Sequence, residues 1–482
     1  MQPISRRDAL TLGGLGLLSA AVGGFGLTRQ WKSPTTPTGR TGATLTEPEV
    51  LRSRAGALDV RLEAATSLHE VAGRRATTLG YNGGVPGPTL RLRAGDRLRI
   101  NLVNHLDQPT NLHVHGLHVS PDGNGDNPFV VVEPGDAFSY EYRLPDDHRP
   151  GVYWYHPHHH GMVADQIFGG LYGAIIVEDG DPLPITRDRV MVVSDLTLDT
   201  AGNIIGPSTM EQVMGREGDL VLVNGQVAPT LQARPGQRER WRVVNACTAR
   251  FLSLRVDGQA VQLLGMDSGR LPEPRDVVEV LLAPGNRGDL IVTAREGHSV
   301  IQALPYDRGR MMGAMMGRGP GSGGQDPVSL ATFEVSGPAV PEPAPLRVLA
   351  QPPDLRGRRP ARSRLLTFQL TMGRGMSFTI DGREFDAARI DQQVGFGTVE
   401  DWTIRNDSPM NHPFHLHVWP MQLLENSDGP VTTPTWLDVV DVPARSQVTV
   451  RIAFDDFGGR SVYHCHILDH EDRGMMGVIR VA

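Results

Sequence analysis

The stretch LRLRAGDRLRINLVN, residues 90–104, alternates apolar with polar side chains on either side of a glycine. Successive side chains of a strand point to opposite faces, so this pattern is typical of two half-buried strands joined by a turn. RERWRVVN at 238–245 and SQVTVRIAF at 446–454 alternate in the same way. Gly and Pro interrupt the chain at short intervals and long helical patterns are missing, so the sequence predicts an all-β fold.

The glycine turn of this stretch recurs twice more along the chain. In each copy an asparagine follows the glycine nine positions later, and the pairs are Gly95 with Asn104, Gly236 with Asn245, and Gly397 with Asn406. Similar turn sequences, NGGVPGPTL, NGQVAPTL and IDGREFD, precede the pairs. This repeat predicts three related β-sandwich domains.

The repeat and the composition set the predicted domain boundaries. We predict domains at 46–180, 181–337 and 338–482, with the proline-rich GPAVPEPAP at 337–345 as a stiff linker. A chain of 482 residues is also too long for one ordinary hydrophobic core.

Residues 1–45 are interpreted as an export signal and a linker. Arg6 and Arg7 precede an apolar, glycine-rich run, and the arginine pair indicates the twin-arginine type, which exports folded proteins. A membrane anchor is the alternative, but the run to Leu27 is barely long enough and its glycines weaken it. We therefore expect a periplasmic or extracellular protein without stable membrane insertion after export.

Charge and cysteine content narrow the class of protein. The formal net charge of −7 gives no electrostatic reason to expect a nucleic acid partner. Cys247 and Cys465 are the only cysteines. They could form a disulfide in an exported protein, but a metal bound to Cys465 would exclude that bond. Cys247 would then be a small buried apolar residue.

Four histidine clusters stand out: HVH at 113–115, HPH at 156–158, HPFHLH at 412–417 and HCHILDH at 464–470. In the first and third repeats a His-x-His begins nine positions beyond the asparagine. The same position of the middle repeat carries Leu254 and Val256, so the middle domain is predicted to hold no ligands. Both histidines of His-x-His on a strand face one side, which suits a metal site.

The segment HCHILDH is predicted to serve two sites. On a strand, His464 and His466 face one side and Cys465 faces the other. Together with His470, Met475 and one histidine of HPFHLH, the thiolate completes the set that is typical of blue copper. Zinc is the competing interpretation, but zinc gains little from a thioether.

These motifs and the threefold repeat resemble the multicopper oxidases, the family of laccases and copper efflux oxidases. The resemblance covers nearly the whole mature chain and implies three consecutive cupredoxin-like Greek-key β-sandwich domains that hold four copper ions. It implies type 1 copper held by His412, Cys465, His470 and Met475, and type 2 copper held by His113 and His415. It implies a type 3 copper pair held by His115, His156, His158, His417, His464 and His466.

The resemblance also implies a reaction. A phenol or a cuprous ion gives up single electrons, Cys465 conducts them, and dioxygen is reduced by four electrons to water. Because this reduction consumes protons, acids are expected nearby, and the family carries a proton-relaying carboxylate at the position of Glu471. Asp126 is the preferred second acid because it precedes NPF, with Asp122 and an ordinary turn role as the alternatives.

Metal-bound imidazoles need partners for their other ring nitrogens. Asp438, in WLDVVDVP, is a candidate to orient His412 or to meet substrate. A role at the edge of a sheet is the alternative.

The glycine-rich stretch YDRGRMMGAMMGRGPGSGG at 306–324 carries four methionines, Met311, Met312, Met315 and Met316. Core filling is one interpretation, but a glycine-rich segment has no regular face to bury, so an exposed loop is predicted. Thioethers select cuprous copper, and the loop resembles the methionine-rich insertions of copper-detoxifying family members. It is a candidate cuprous-ion site with a role in copper homeostasis, to which Met372 and Met376 could add.

Three alternatives stay open at this point. One is a laccase that oxidises phenols only, with the methionine loop as a lid. Another is a non-catalytic copper-binding protein or cell-division-associated scaffold of the same fold, which the complete ligand set disfavours. Copper nitrite reductases are similar but have no type 3 pair. The expected partners are dioxygen and a phenolic or cuprous reductant, and the protein is expected to be a monomer.

Overall fold

The structure is a computed structural model that describes residues 42–309, 326–341, 343–346, 352–372 and 376–482, without the side chain of Met372. In that part of the chain strands dominate, and the three α-helices have seven residues or fewer. The predicted all-β fold is confirmed. Six sheets form three consecutive pairs, which we call the first, middle and third sandwich.

The first sandwich contains helix α1 (Val163–Gly169) and the strands β1 (Val50–Arg52), β2 (Ala57–Val71), β3 (Arg74–Tyr81), β4 (Thr89–Leu92), β5 (Arg97–Asn104), β6 (His113–His115), β7 (Ala137–Arg143), β8 (Gly151–His156) and β9 (Gly173–Val177). One sheet has the order β1-β4-β9-β8-β6 and the other β3-β2-β5-β7. Alternate side chains of β5, those of Leu98, Ile100 and Leu102, are fully buried between the sheets, as the period-two pattern predicts.

The middle sandwich contains helix α2 (Thr209–Met214) and the strands β10 (Arg187–Leu196), β11 (Leu220–Val223), β12 (Thr230–Ala233), β13 (Arg238–Asn245), β14 (Leu252–Val256), β15 (Ala260–Met266), β16 (Gly269–Val277), β17 (Val280–Leu282), β18 (Arg287–Thr293), β19 (Gly297–Leu304) and β20 (Val328–Val335). Its sheets have the orders β11-β10-β13-β18-β15-β16 and β12-β20-β19-β14-β17. Ser208 and Glu211 form a capping box that begins α2. Leu254 and Val256 are buried core residues.

The third sandwich contains a 3₁₀ turn (Leu355–Gly357), helix α3 (Leu468–Glu471) and the strands β21 (Arg362–Met372), β22 (Met376–Ile380), β23 (Gln392–Val394), β24 (Thr398–Asn406), β25 (His412–Leu416), β26 (Met421–Asn426), β27 (Gly429–Leu437), β28 (Val439–Val442), β29 (Gln447–Phe454), β30 (Gly459–Cys465) and β31 (Met476–Val481). Its sheets have the orders β22-β21-β24-β29-β26-β27 and β23-β31-β30-β25-β28. Strands β25 and β30 are neighbours, so HPFHLH and HCHILDH lie side by side.

The repeated asparagines share one structural role. Asn104, Asn245 and Asn406 each end a strand and are at most 1% exposed. The side-chain Nδ2 of each donates to two backbone carbonyls from separate segments of the chain. These belong to Gln108 and Val132, to Arg250 and Leu282, and to Met410 and Val442, respectively. One amide thus satisfies two backbone acceptors and joins two separate segments in every sandwich, which gives the repeated asparagine a structural role.

An apolar cluster joins the three sandwiches near the histidine motifs. Trp154 of the first sandwich, Val244 of the middle and Leu468 of the third are fully buried in it. The three sandwiches are therefore packed against one another at this cluster.

Among the described helices, none is long and apolar enough to cross a membrane. Residues 1–41, most of the predicted export segment, lie outside the described part of the chain. Cys247 and Cys465 are both buried and free, so no disulfide joins them.

Candidate metal centres

Strand pairing brings the histidine motifs together in two places. In the first sandwich β6 pairs with β8, with His113 opposite His156. In the third sandwich β25 pairs with β30, with His415 opposite His464. Directly opposed residues of paired strands share a face of the sheet, so each pairing points two imidazoles in one direction.

Eight buried histidines form one group between the first and third sandwiches, which we call the histidine cluster: His113, His115, His156, His158, His415, His417, His464 and His466. Each is at most 2% exposed. Contacts cross between the sandwiches, because His113 Nε2 lies 3.4 Å from His415 Nε2. His158 Nε2 lies 3.1 Å from His417 Nε2. The cluster therefore exists only where the two sandwiches meet.

The facing nitrogens fall into subsets. The Nε2 atoms of His158, His417 and His464 lie 3.1 Å from one another in a triangle. His115 Nδ1 lies 3.3 Å from His156 Nε2. The ring of His466 lies 5.0 Å from that of His115, and both of its nitrogens lack a hydrogen-bond partner among the described residues. Unpaired buried nitrogens that face other nitrogens are suited to a metal ion.

Oxygen atoms contact the outer ring nitrogens of the cluster. The Nδ1 atom of His113 lies beside the Asp126 carboxylate. The Nδ1 atoms of the other three rings lie beside backbone carbonyls: His156 beside Pro157, His415 beside Asp438, and His464 beside Cys465. A carbonyl or carboxylate requires a hydrogen on Nδ1, so the lone pair falls on Nε2. The rings are therefore held with Nε2 free to bind a metal.

His115 has the opposite arrangement. Its Nε2 lies 3.0 Å from Asp438 Oδ1, so Nε2 carries the hydrogen and Nδ1 faces the cluster. Its ring stacks on that of His415, with ring centres 3.9 Å apart and planes within 8°.

Burial keeps these imidazoles neutral. Desolvation lowers the pKa of every histidine of the cluster, to about 4 for His158 and His464. Neighbouring imidazoles lower the pKa of His113 further. Since a metal binds neutral imidazole, the cluster is prepared for metal over the whole neutral pH range.

Asp126 and Asp122 have different surroundings. Asp126 is 1% exposed, and its two carboxylate oxygens lie 2.9 and 3.0 Å from His113 Nδ1. Burial raises the pKa of Asp126 to about 8, although a hydrogen bond from the Val114 backbone opposes this. Asp122 is exposed at the surface. Of the two, only Asp126 contacts the histidine cluster.

Glu471 is the third carboxyl group beside the cluster, after Asp126 and Asp438. It is fully buried, with Oε2 3.0 Å from His464 Nδ1 and Oε1 3.3 Å from His158 Nε2. Neither contact has hydrogen-bond geometry. Burial raises the pKa of Glu471 to about 7, with His158 acting in the opposite direction.

A second centre, which we call the thiolate centre, consists of His412, Cys465 and His470. Cys465 Sγ lies 3.3 Å from His412 Nδ1 and 3.9 Å from His470 Nδ1, and all three residues are fully buried. The outer nitrogens are occupied: His412 Nε2 lies 2.7 Å from Ser408 Oγ, and His470 Nε2 donates to the Val213 carbonyl at 2.9 Å. Both Nδ1 atoms are thereby aimed at the sulfur.

Met475 is fully buried beside this centre. Its backbone carbonyl accepts from Cys465 N at 3.0 Å, and its own N donates to the His470 carbonyl at 2.9 Å. The ring of Phe378 stacks on His470 with 4.1 Å between ring centres. The thiolate centre thus has an apolar wall and a thioether residue tied to two of its three ligands.

Strand β30 and the residue after it connect the two centres. His464 and His466 belong to the histidine cluster and Cys465 to the thiolate centre. The alternation predicted for HCH therefore places one residue on one side of the strand and its two neighbours on the other.

The middle sandwich also contributes to both centres, which the sequence did not indicate. Its Val213 carbonyl contacts His470, and its Arg287 forms a buried ion pair with Asp438. The idea that Asp438 orients His412 is wrong, because its carboxylate faces His115. No motif in a single sequence marks these contacts, since their partners are more than a hundred residues apart.

The four methionines of the candidate cuprous-ion site, Met311, Met312, Met315 and Met316, lie outside the described residues. The backbone leading to that segment contacts the two residues that directly precede His412. Asn411, next to His412, donates from its backbone N to the Arg308 carbonyl at 2.7 Å, and Gly309 forms a β-bridge with Met410. Met376 packs against the core of the third sandwich.

Multicopper oxidase family profiles match this chain at residues 64–182, 188–303 and 358–482, which together span well over half of it. The multicopper oxidase mco of Staphylococcus haemolyticus is 30% identical over 84% of this chain and 84% of its own. The laccase of Bacillus subtilis is 28% identical over 82% of this chain and 88% of its own. The cell division protein FtsP of Sodalis glossinidius is 30% identical over 84% of this chain and 85% of its own.

A solved structure, the multicopper oxidase of Campylobacter jejuni described as a metallo-oxidase, superposes with a TM-score of 0.80. It is 29% identical, and the match covers 92% of this chain and 96% of that one. The likeness extends over all three sandwiches.

Proposed function

The chain belongs to the multicopper oxidase family, and we propose from this premise that it oxidises phenols, cuprous ions or both while reducing dioxygen to water. Family membership makes it a copper oxidase that uses dioxygen and a reducing substrate. The observation that carries the proposal is that the predicted copper ligands gather in two adjoining buried centres.

The donors of the thiolate centre fit copper. One thiolate and two imidazole nitrogens, from Cys465, His412 and His470, meet beside the thioether residue Met475. A structural zinc site would need a fourth strong ligand, whereas blue copper accepts a weak axial thioether. We assign this centre to type 1 copper.

The histidine cluster has donors for three further ions. We assign His113 and His415 to type 2 copper, and the remaining six histidines to the type 3 pair, as His115, His156 and His466 for one ion and His158, His417 and His464 for the other. The distances between the facing nitrogens support this grouping, and His466 is grouped with His115 because their ring centres lie 5.0 Å apart. When bound, the four coppers supply one-electron redox chemistry that matches the four electrons needed to convert dioxygen to water.

The protein's own residues link the centres and supply protons. The covalent run His464–Cys465–His466 joins the two centres directly, and we propose that electrons follow it. We further propose that Asp126 and Glu471 deliver protons, because both carboxyl groups are buried and contact histidines of the cluster.

For the reductant, we propose that the methionine loop binds cuprous ions. The described residues that lead to it, Arg308 and Gly309, contact Asn411 and Met410, the two residues directly before His412. Deleting 311–316 should abolish saturable cuprous oxidation while sparing small dye substrates. Equal loss of both activities would leave a laccase whose loop acts only as a lid.

One relative of this chain is named as a cell division protein, so the competing function is that of a non-catalytic copper-binding or scaffold protein. The complete donor set supports the enzyme. Oxygen uptake by the copper-loaded protein on addition of a phenol decides the question. A copper count of four and a blue visible band are expected together with turnover, and a colourless, inactive protein would contradict the proposal.

We also propose export through the twin-arginine segment within 1–45, separate domains at 46–180, 181–337 and 338–482, and a monomer in solution. Replacing Arg6 and Arg7 by lysine should retain the protein inside the cell. Unchanged export of that variant would contradict the assigned route. Sedimentation would measure the oligomeric state.

A further inference from the structure

We propose that Arg287 and Asp438 are a positioning pair that fixes His115 with Nδ1 facing the histidine cluster. The proposal rests on the function proposed above, because it takes His115 as a copper ligand. It gives the middle sandwich, which carries none of the assigned ligands, a role in the metal centre.

Arg287 holds the Asp438 carboxylate through two parallel hydrogen bonds. Nη1 donates to Oδ1 and Nη2 donates to Oδ2, each at 2.5 Å. Arg287 is fully buried and Asp438 is 2% exposed, so water does not compete for either group. A bidentate arginine–carboxylate pair fixes orientation as well as contributing energy, so the carboxylate is confined to one position.

The same carboxylate selects the tautomer of His115. Oδ1 of Asp438 lies 3.0 Å from His115 Nε2, which places the hydrogen on Nε2 and the lone pair on Nδ1. Nδ1 is the atom that lies 3.3 Å from His156 Nε2. Without the carboxylate, nothing in the described contacts would favour this tautomer over the other.

Asp438 orients a second ring with its backbone. Its carbonyl accepts a hydrogen bond from His415 Nδ1 at 2.7 Å. The His415 ring stacks on that of His115, with centres 3.9 Å apart. One residue therefore sets two stacked rings from different sandwiches, and a shift of Asp438 would move both.

Gly116 leaves the space that the pair occupies. It follows His115 directly and has a φ of +82°. A Cβ at this position would collide with the Arg287 guanidinium and stand 2.6 Å from Asp438 Oδ2. The glycine of HVHG is therefore explained by the ion pair behind the histidine.

Arg287 is itself anchored from several sides. Its Nε donates to the Val152 carbonyl at 3.0 Å, and its Nη1 donates to the Gly285 carbonyl at 3.1 Å. Its backbone N donates to Asp267 Oδ1 at 2.9 Å. These contacts tie the guanidinium to the first sandwich and to the turn before β18. The pair is a rigid bridge between all three sandwiches.

The first test uses the copper-free protein. Ring-nitrogen NMR reports which nitrogen carries the hydrogen, and His115→Gln assigns the signal. We expect wild-type His115 to carry it on Nε2, and Arg287→Met or Asp438→Asn to give a mixture of tautomers. Arg189→Met is the matched control, because Arg189 forms an equally buried bidentate pair with Glu239 at 2.6 and 2.8 Å. Arg189→Met should leave the tautomer of His115 unchanged.

The second test measures copper. We expect Arg287→Met to lower the copper affinity of the histidine cluster about 10- to 100-fold, as loss of an outer partner of a metal-binding histidine does. The blue band of the thiolate centre should persist. Arg287→Lys keeps the charge without the fork and should recover part of the affinity. If Arg287→Met does not fold, the same two measurements on Asp438→Asn and on the double variant Arg287→Met/Asp438→Asn test the proposal.

An unchanged His115 tautomer with copper affinity within about twofold of wild type in Arg287→Met and Asp438→Asn would overturn the proposal. Equal losses in Arg189→Met would also overturn it, by showing a merely structural role. A wild-type protein that bound no copper would refute the proposed function instead, and the NMR result on the copper-free protein would stand apart from it.

Discussion

Gly285 lies directly against the ring of His466. A Cβ built on Gly285 would stand 2.8 Å from His466 Nε2, closer than van der Waals contact allows, and the φ of Gly285 is +86°. The turn between β17 and β18 thus touches the histidine cluster with bare backbone. The middle sandwich closes the cluster on the side where His466 has no other partner among the described residues.

We expect Gly285→Ala to lower the copper content of the histidine cluster and the turnover while leaving the blue colour in place, because the new methyl group displaces His466. Gly135→Ala is the control, since its φ is also +86° but nothing lies within 4 Å of the added carbon. Both variants carry the left-handed backbone strain of about 1 kcal/mol. Copper quantitation and visible spectra check the difference, and identical effects would contradict the steric argument.

Cys465→Ser should remove the blue colour and nearly all turnover while the protein still folds. Cys465 supplies the only cysteine sulfur of the thiolate centre, and serine replaces it at similar size. Cys247→Ser is the control, because Cys247 is buried near the Val193 carbonyl in the middle sandwich. An intense visible band that survives in Cys465→Ser would refute the assignment.

Asp126→Asn should lower turnover about a hundredfold or more, the usual contribution of a proton-transferring group. The KM for the reductant and the blue colour should stay unchanged, since Asp126 contacts His113 and not the thiolate centre. The exposed Asp122 provides the control, and Asp122→Asn should behave as wild type. Equal effects of the two substitutions would mean that proximity to His113 is irrelevant.

The buried carboxylate of Asp289 should make the stability of the folded protein sensitive to acid. Burial raises its pKa, but Arg240 and its neighbours outweigh this and lower the pKa to about 2. The folded-state pKa lies below the unfolded value of about 3.9, so the stabilisation is complete above about pH 4 and is lost as the pH falls toward 2. The difference between the two pKa values corresponds to about 2.5 kcal/mol of folding stability.

Urea unfolding of the copper-free protein measures this contribution. Asp289→Asn should lower the free energy of unfolding near neutral pH, and its difference from wild type should shrink below about pH 4. Asp455→Asn breaks an exposed pair with Arg358 and should change stability by about 0.5 kcal/mol or less. A pH-independent difference for Asp289→Asn would show that lost packing, rather than charge, is responsible.

Removing copper should lower the melting temperature. The assigned ligands come from both the first and the third sandwich, so bound metal stabilises their contact by mass action. Calorimetry before and after chelation, with copper restored at the end, checks this. Melting curves that coincide with and without metal would contradict ligation across the two sandwiches.

Period-two patterns, the Gly–Asn repeat and the His-x-His spacing were enough to predict the all-β class and to select the residues that meet in both centres, because these depend on local strand geometry. The choice of Asp126 over Asp122 agrees with the geometry, yet its reason, burial against His113, is a tertiary contact. Asp438 was selected with His412 as a candidate partner, and this partner is wrong. The orientation of the Asp438 carboxylate depends on Arg287, 151 residues earlier in the chain.

The contact between His113 and His415 joins residues 302 positions apart. During synthesis, β6 leaves the ribosome long before β25 and β30 exist, and a nascent first sandwich displays imidazoles without a pocket around them. The full ligand sets proposed for both centres therefore come together only after the third sandwich has folded. A chain cut short before β30 would lack Cys465 and both of its neighbouring histidines, so it could complete neither centre.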